Sequence, residues 1–171
     1  MDETIAASKI FFKSATLYFV YIRTSNDFIA SAMIYVIIQF ACIIWLLLQG
    51  NIQQVNAPHL VILLIAAVIG VWAVISMRLD NINIAPALKD NHRLVTTGIY
   101  GYIRHPMYAS VILFCAVLLA THANWMNGLV FIILLADLWL KLRHEERLLS
   151  ERFPDYRDYQ KRTKMIIPFI Y

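Results

Sequence analysis

An all-α fold, a polytopic membrane helical bundle, is what the sequence predicts. Three observations carry that expectation: long apolar runs, a one-sided distribution of cationic residues, and the crowding of polar side chains into a few segments. Of 171 residues, 60% are hydrophobic and 15% charged, which is more apolar surface than one soluble core of that size requires. Four runs read as transmembrane helices, since a crossing takes about 20 mostly apolar residues. They are Phe28 to Leu48, His59 to Met77, Met107 to Ala120 and Trp125 to Leu140. The third is short and the fourth contains Asp137; the two read as a helical hairpin joined at Thr121-His122-Ala123-Asn124.

The cationic residues orient this bundle. Three of the 15 Lys and Arg residues precede the first run (Lys9, Lys13, Arg23), four lie between the second and third (Arg78, Lys89, Arg93, Arg104), and eight run from Lys141 to Lys164. Neither Gln49 to Pro58 nor the hairpin turn carries a charge. Because cationic loops stay cytoplasmic, both termini and the middle loop are expected on the cytoplasmic side. The chain then divides into residues 1–27, an N-terminal segment; 28–77, the first two crossings; and 78–171, a core with a cytoplasmic loop, the hairpin and a C-terminal segment. Within the first part, Ile5 to Ile22 is rich in aromatic and aliphatic residues, but Lys9 and Lys13 share one helix face. That suits a helix lying at the headgroup boundary. A fifth crossing is the other reading, at the cost of lysines in mid-bilayer.

The same charge pattern narrows the partners. The sequence pI is near 9.1, yet the basic residues flank apolar runs, where anionic lipid headgroups are the simpler partner, and no nucleic-acid signature is present. Cys42 and Cys115 lie inside crossings without paired spacing and read as packing residues. Met1 to Ser8 carries Asp2 and Glu3, unlike the start of a cleavable signal peptide.

Two polar segments hold the candidate chemistry. The middle loop ends in Gly98-Ile99-Tyr100-Gly101-Tyr102-Ile103-Arg104-His105-Pro106-Met107-Tyr108. Pro106 disfavours helix at His105 and suits a first helical turn, so the third crossing should begin there. A helix N-terminus beside Arg104 suits a carboxylate or phosphate. Interfacial anchoring by Arg104 and His105, with Tyr100, Tyr102 and Tyr108 as an aromatic belt, is the plainer alternative. The second segment, Lys141 to Leu149, continues the fourth helix out of the membrane, with Lys141 and Glu145 on one face. A charge-paired helix end would explain it, but it emerges on the side of Arg104 and His105, so the two clusters can meet. Phe153-Pro154-Asp155-Tyr156 should break the helix, and Met165-Ile166-Ile167-Pro168 should return to the bundle or the lipid surface. Asp137 is expected to pair with Lys141 one turn away; a functional role is the alternative. His92, His105, His144 and Glu145 come from separate elements with no ligand motif, so no metal site is expected.

His92-Arg93-Leu94-Val95, Gly98-Ile99-Tyr100, Arg104 to Tyr108, Glu145-Glu146, Phe153, Tyr156, Tyr159 and Ile167-Pro168, taken in order, resemble the isoprenylcysteine carboxyl methyltransferase family, with related phospholipid methyltransferases sharing much of the pattern. The resemblance covers about residues 80–171. It implies an integral membrane methyltransferase using S-adenosylmethionine under a cytoplasmic cofactor-binding cap, with a lipophilic acceptor arriving from the bilayer. Carried over by position, it implies cofactor contacts at His92, Arg93, Leu94, Val95, Tyr100, Arg104, His105, Pro106, Met107 and Tyr108, and a catalytic pair at Lys141 and Glu145. Where the prenylcysteine enzymes have an Arg four residues before the site glutamate, this chain has Lys141, which cannot make the two-pronged contact of a guanidinium. Arg143 is a neighbouring substitute. Ser110 stands where many members have Gly, and a small residue there preserves close helix packing.

A methyl group activated by a sulfonium needs an aligned acceptor and a dry site, not a metal or a covalent intermediate. The expected acceptor is a prenylcysteine-like carboxylate. A phospholipid amine and a small thiol are alternatives within the class; an NADPH-dependent membrane reductase and a non-catalytic membrane scaffold are alternatives outside it. The oligomeric state leaves no sequence signal.

Overall fold

The computed structural model describes residues 33–77 and 94–166. The N-terminal segment, the start of the first apolar run, His92 and Arg93, and Ile167-Pro168 lie outside the described residues. Among the described residues the fold is all-helical, without a strand. Helix α1 spans Met33–Gln49, α2 Ala57–Met77, α3 Pro106–Thr121, α4 Trp125–Arg152 and α5 Tyr156–Arg162. Short 3₁₀ turns occupy Ile52–Gln54 and Gly98–Gly101.

Side chains supply missing backbone partners at the starts of α2 and α4, and a proline opens α3. At α2, Asn56 and His59 cap each other: the Asn56 N–H donates to His59 Nδ1 and the His59 N–H to Asn56 Oδ1, both at 3.3 Å. Pro106 opens α3 as expected, with His105 as the residue before it. Asn124 caps α4 by accepting from the Asn127 N–H at 2.9 Å. The break at Phe153 to Asp155 ends α4 and frees α5 to turn back.

Two of the four expected crossings are long and apolar enough for the role, α2 with 21 residues and α4 with 28. Helices α1 and α3 are apolar but shorter; α3 has 16 residues, roughly 24 Å at 1.5 Å per residue, against a hydrocarbon core of about 30 Å. Along α2, Leu60, Val61, Leu64, Val68, Val71 and Ile75 face outward, a surface that only a partner or lipid would cover. Helix α4 reaches roughly 42 Å, so its polar second half must project beyond any bilayer its first half crosses.

Inside the bundle, Leu134, Leu138 and Leu142 repeat every four residues along α4 and pack with Leu46, Cys42, Cys115 and Tyr108. Both cysteines are buried and free, in keeping with packing roles. Helices α2 and α3 approach closely at Gly70, where an added Cβ would lie 2.8 Å from Ser110 Oγ. The Ser110 hydroxyl donates to the Ala66 carbonyl at 2.8 Å, so the serine fills the small-residue position and bonds across the interface. At the uncharged end, the Trp45 indole donates to Asn127 Oδ1 at 3.1 Å and Asn127 donates to the His122 carbonyl at 2.8 Å. His122 places its Nδ1 2.7 Å from the Gln49 carbonyl and ties the two uncharged turns together.

At the opposite end the chain closes on itself. Residues after α5 run beside those before α3: the Lys164 N–H donates to the Tyr102 carbonyl at 3.0 Å, Arg104 N–H to the Lys164 carbonyl at 2.8 Å, and His105 N–H to the Met165 carbonyl at 3.0 Å. Ile166 then packs on both apolar clusters, so this segment returns to the bundle. Gly98, with φ of +64°, stands so close to Ser76 that no side chain fits, which sets the loop down on the end of α2.

Replacing Gly70 by Val should therefore cost about 1–3 kcal/mol of stability through overpacking. The same change at Gly128, where a Cβ meets nothing within 4 Å, should cost much less. Thermal unfolding of the two variants in detergent checks this, and equal losses would contradict the close α2–α3 packing.

Candidate functional site

The α4 helix presents two stripes one residue out of phase. Leu134, Leu138 and Leu142 continue into Glu146, and Asp137, Lys141 and Glu145 run beside them. At 100° per residue the neighbours Glu145 and Glu146 point in different directions, and the structure gives them different work.

Glu146 is the hub. Its Oε1 accepts from Arg104 Nε at 2.7 Å, His105 Nε2 at 2.9 Å and the Tyr156 hydroxyl at 2.8 Å, and its Oε2 accepts from Gln160 Nε2. Burial alone would raise its pKa, but the hydrogen bonds from His105, Arg104 and Gln160 outweigh burial and hold it at about 2. Arg104 likewise helps close this end of the chain, since its Nη1 donates to the Thr163 carbonyl at 2.6 Å and to the Gln160 carbonyl at 3.2 Å. The anion-binding role foreseen for Arg104 at the α3 N-terminus is thus taken by a carboxylate of the chain itself. Tyr156 is pushed up by burial and by Glu146, and Tyr159, whose hydroxyl donates to the Tyr100 carbonyl at 2.6 Å, is pushed up to about 12, chiefly by burial.

Glu145 faces the other way. The Tyr108 hydroxyl donates to its Oε1 at 2.6 Å, so the two polar segments do meet. A carboxylate can only accept, so the His105 Nε2 at Glu146 carries a proton; His105 Nδ1 then lies 3.7 Å from Glu145 Oε2. The His105 ring stacks on Tyr108 at 5.4 Å between centroids and 6° between planes, so imidazole and phenol are fixed as one block. Lys141 Nζ donates to Gln39 Oε1 at 3.1 Å and stands 5.3 Å from the centre of the Tyr108 ring. The expected Lys141–Asp137 pair does not close: Asp137 is 5% exposed, and neither of its carboxylate oxygens has a hydrogen-bond partner among the described residues. Arg143, the neighbouring substitute, points elsewhere. Its guanidinium lies over Trp139 at 4.7 Å, on the outer face of α4.

Those of the remaining expected positions that are described fall nearby. Leu94, Val95, Tyr100 and Arg104 line a cavity of about 50 Å³ with Met77, Leu149, Tyr156 and Tyr159. Pro106 is buried at the start of α3, and Met107 packs on Ile99, Tyr100 and Ile103. Sequence reasoning missed Gln39, Gln160, Thr163 and the hub role of Glu146. Only Glu146 left a trace, as the second glutamate of a motif, and its spacing of four from Leu142 was the signal that it points inward.

The fold and the site together define a class: an apolar helical bundle whose chemistry-bearing carboxylates, imidazole, ammonium and phenols gather at one end, where the longest helix outruns the others. Residues 59–151 match the model of the isoprenylcysteine carboxyl methyltransferase family, and the chain belongs to that family. It is similar to the protein-S-isoprenylcysteine O-methyltransferase of Schizosaccharomyces pombe, 32% identical over 89 residues that make up 51% of this chain and 38% of that protein. Its similarity to the Saccharomyces cerevisiae protein of the same name is also 32%, over 87 residues, 48% of this chain and 35% of the relative. The chain thus matches little more than a third of either relative's length.

Replacing Glu146 by Gln should destabilise the protein by about 3–5 kcal/mol, the usual consequence of breaking a buried ion pair from one side. The sign with pH follows from the depressed pKa. Glu146 contributes its full stabilisation above the ordinary carboxylate pKa near 4.5 and loses it as the pH falls toward about 2. Tryptophan fluorescence during urea unfolding in detergent should show that acid limb in the parent chain and a flattened one in E146Q.

Proposed function

We propose that this chain is a membrane-embedded methyltransferase that uses S-adenosylmethionine and methylates a lipophilic acceptor, by preference the carboxylate of a prenylcysteine-like molecule. Family membership supports the reaction class, and the observation that carries the site is the convergence of Tyr108, Glu145, His105 and Lys141 on one side of α4. In this reading all four apolar helices cross the bilayer. The site end, both ends of the sequence and the loop before α3 face the cytoplasm, and α5 with residues 164–166 forms the cap. The projecting half of α4 and the cationic residues gathered at that end support the orientation.

The residue types around this site suit the methyl donor. Leu94, Val95, Met77 and Leu149 offer apolar walls for a flat base, Tyr100, Tyr156 and Tyr159 offer aromatic faces, and Glu145 keeps one oxygen free of the Tyr108 bond for an ammonium group. When bound, S-adenosylmethionine supplies a methyl group already activated by a sulfonium. The protein has then to align the acceptor and exclude water. Lys141, only 4% exposed, is the group that takes a carboxylate acceptor, which would replace the Gln39 oxygen now on its ammonium. Attack by an anion on a cation cancels charge as it proceeds, so a single-point contact that releases readily serves better than a clamp. Glu145, fixed by Tyr108, holds the donor side of the site. His105 does not need to act as a base, because a carboxylate acceptor has no proton to lose; locked on Glu146 and stacked on Tyr108, it positions that phenol.

The test is transfer of labelled methyl from S-adenosylmethionine by the purified chain to prenylated N-acetylcysteine. K141A and E145A should each lower kcat/KM by about 10²-fold, the scale of a lost positioning contact, and R143A should stay close to the parent. S-adenosylhomocysteine should raise the melting temperature and NADPH should not. A chain that binds S-adenosylhomocysteine but methylates no prenylated thiol, lipid amine or simple sulfide would overturn the assignment.

A further inference from the structure

Among the described residues, Asp137 is a buried ionisable group that this chemistry leaves unused. A carboxylate enclosed by protein without donors is costly, and here both oxygens lack one among the described residues. Lys141 is four residues on, the spacing at which opposite charges on a helix meet. It turns instead to Gln39 across the α1–α4 boundary. The ammonium and the carboxylate, both almost fully buried, therefore stand side by side without closing on each other. Gln39 is half-buried and reaches in from a helix whose neighbours Ile37 and Phe40 are exposed, so the side chain now on the ammonium borders the flank that an acceptor from the bilayer would approach. Successive members of the stripe Glu145, Lys141, Asp137 lie about 6 Å apart along the helix axis, which places Asp137 one turn inward of the ammonium and two turns from the reacting end.

We infer that Asp137, with Lys141 and Gln39, forms a head-group subsite that selects acceptors carrying an N–H donor next to their anionic group, Lys141 taking the anion and Asp137 the N–H. The subsite rests on the methyltransferase reading for its role. The complement of a separated ammonium and carboxylate is a molecule with an anion and a donor a few bonds apart, such as an N-acylated amino acid carboxylate on a lipid tail. Asp137 acts on specificity, and it does not touch the reacting atoms. Gln39 is displaced on binding and leaves its own amide N–H₂ available to the ligand.

Two ligands separate the subsite from a merely structural aspartate: S-farnesyl-N-acetylcysteine, and the same thioether acid without its acetamido group. Equilibrium binding to the purified chain in phosphatidylcholine nanodiscs should favour the first by roughly tenfold, the scale of one charge-assisted hydrogen bond in a buried site. D137L should abolish that preference by weakening only the amide-bearing ligand, and D137N should reduce it. Equal affinities in the parent chain, or a preference that survives both substitutions, overturns the subsite; if D137L fails to fold, an undiminished preference in D137N does so alone. Methyl transfer is read in the same nanodiscs. An Asp137-dependent binding preference without transfer would keep the subsite and overturn only the methyltransferase reading.

Discussion

The polar end of this molecule depends on one buried anion. Glu146 lies where the apolar stripe of α4 runs out, and removing an ion from water costs several kcal/mol unless its lone pairs are occupied. Its donors come from the entry to α3, from the first turn of α5 and from the end of α5, so satisfying the carboxylate and closing the chain are the same event. The backbone pairing of residues 102–105 with 164–165 sits directly on this hub. Without the anion, Arg104 would be a buried cation facing only neutral oxygens of Gln160 and Thr163, and the segment that holds His105 would lose its anchor.

That arrangement frees Glu145. Two adjacent glutamates on a helix cannot serve one site, because successive side chains diverge by about 100°. Glu146 is consumed by structure, while Glu145, more open to its surroundings, keeps one bond to Tyr108 and spare acceptor capacity. His105 links the two through its ring nitrogens. Its stacking on Tyr108 passes the rigidity of the hub to the phenol that orients Glu145. A site that works by alignment requires supporting residues of this kind, since an acceptor misplaced by even 1 Å can lose about 10²-fold in rate.

Much of this was legible in the sequence. Apolar length located α2, α3, α4 and the described part of α1 within a few residues, Pro106 marked the start of α3, and Phe153 to Asp155 marked the break. The meeting of Tyr108 with Glu145 followed from placing two polar clusters at the same end of a bundle. Other features were not legible because they depend on side-chain direction. Glu145 and Glu146 are the same residue type, and only helix phase tells the site from the hub. Arg104 beside a helix N-terminus looked like an anion site for a ligand, and the anion turned out to be supplied by α4, 42 positions away. The Asp137–Lys141 pairing followed from spacing alone, and a glutamine more than a hundred positions upstream took the lysine instead.

Gln39 also bears on how far family membership reaches. The family match begins at residue 59, so α1 lies wholly outside it, yet α1 supplies the group that now occupies the Lys141 ammonium. The residues that hold the methyl donor in the proposed reading come from the end of α2, the loop before α3, the projecting half of α4 and α5, all of them matched except those of α5. The surface presented to the acceptor is built from α1 against α4, half of it unmatched. In the proposed reading, acceptor choice then draws on Gln39, outside the family match, as well as on Asp137 and Lys141 inside it. Methyl transfer can be common to the family while the lipid that receives the methyl group differs with what α1 turns toward Lys141.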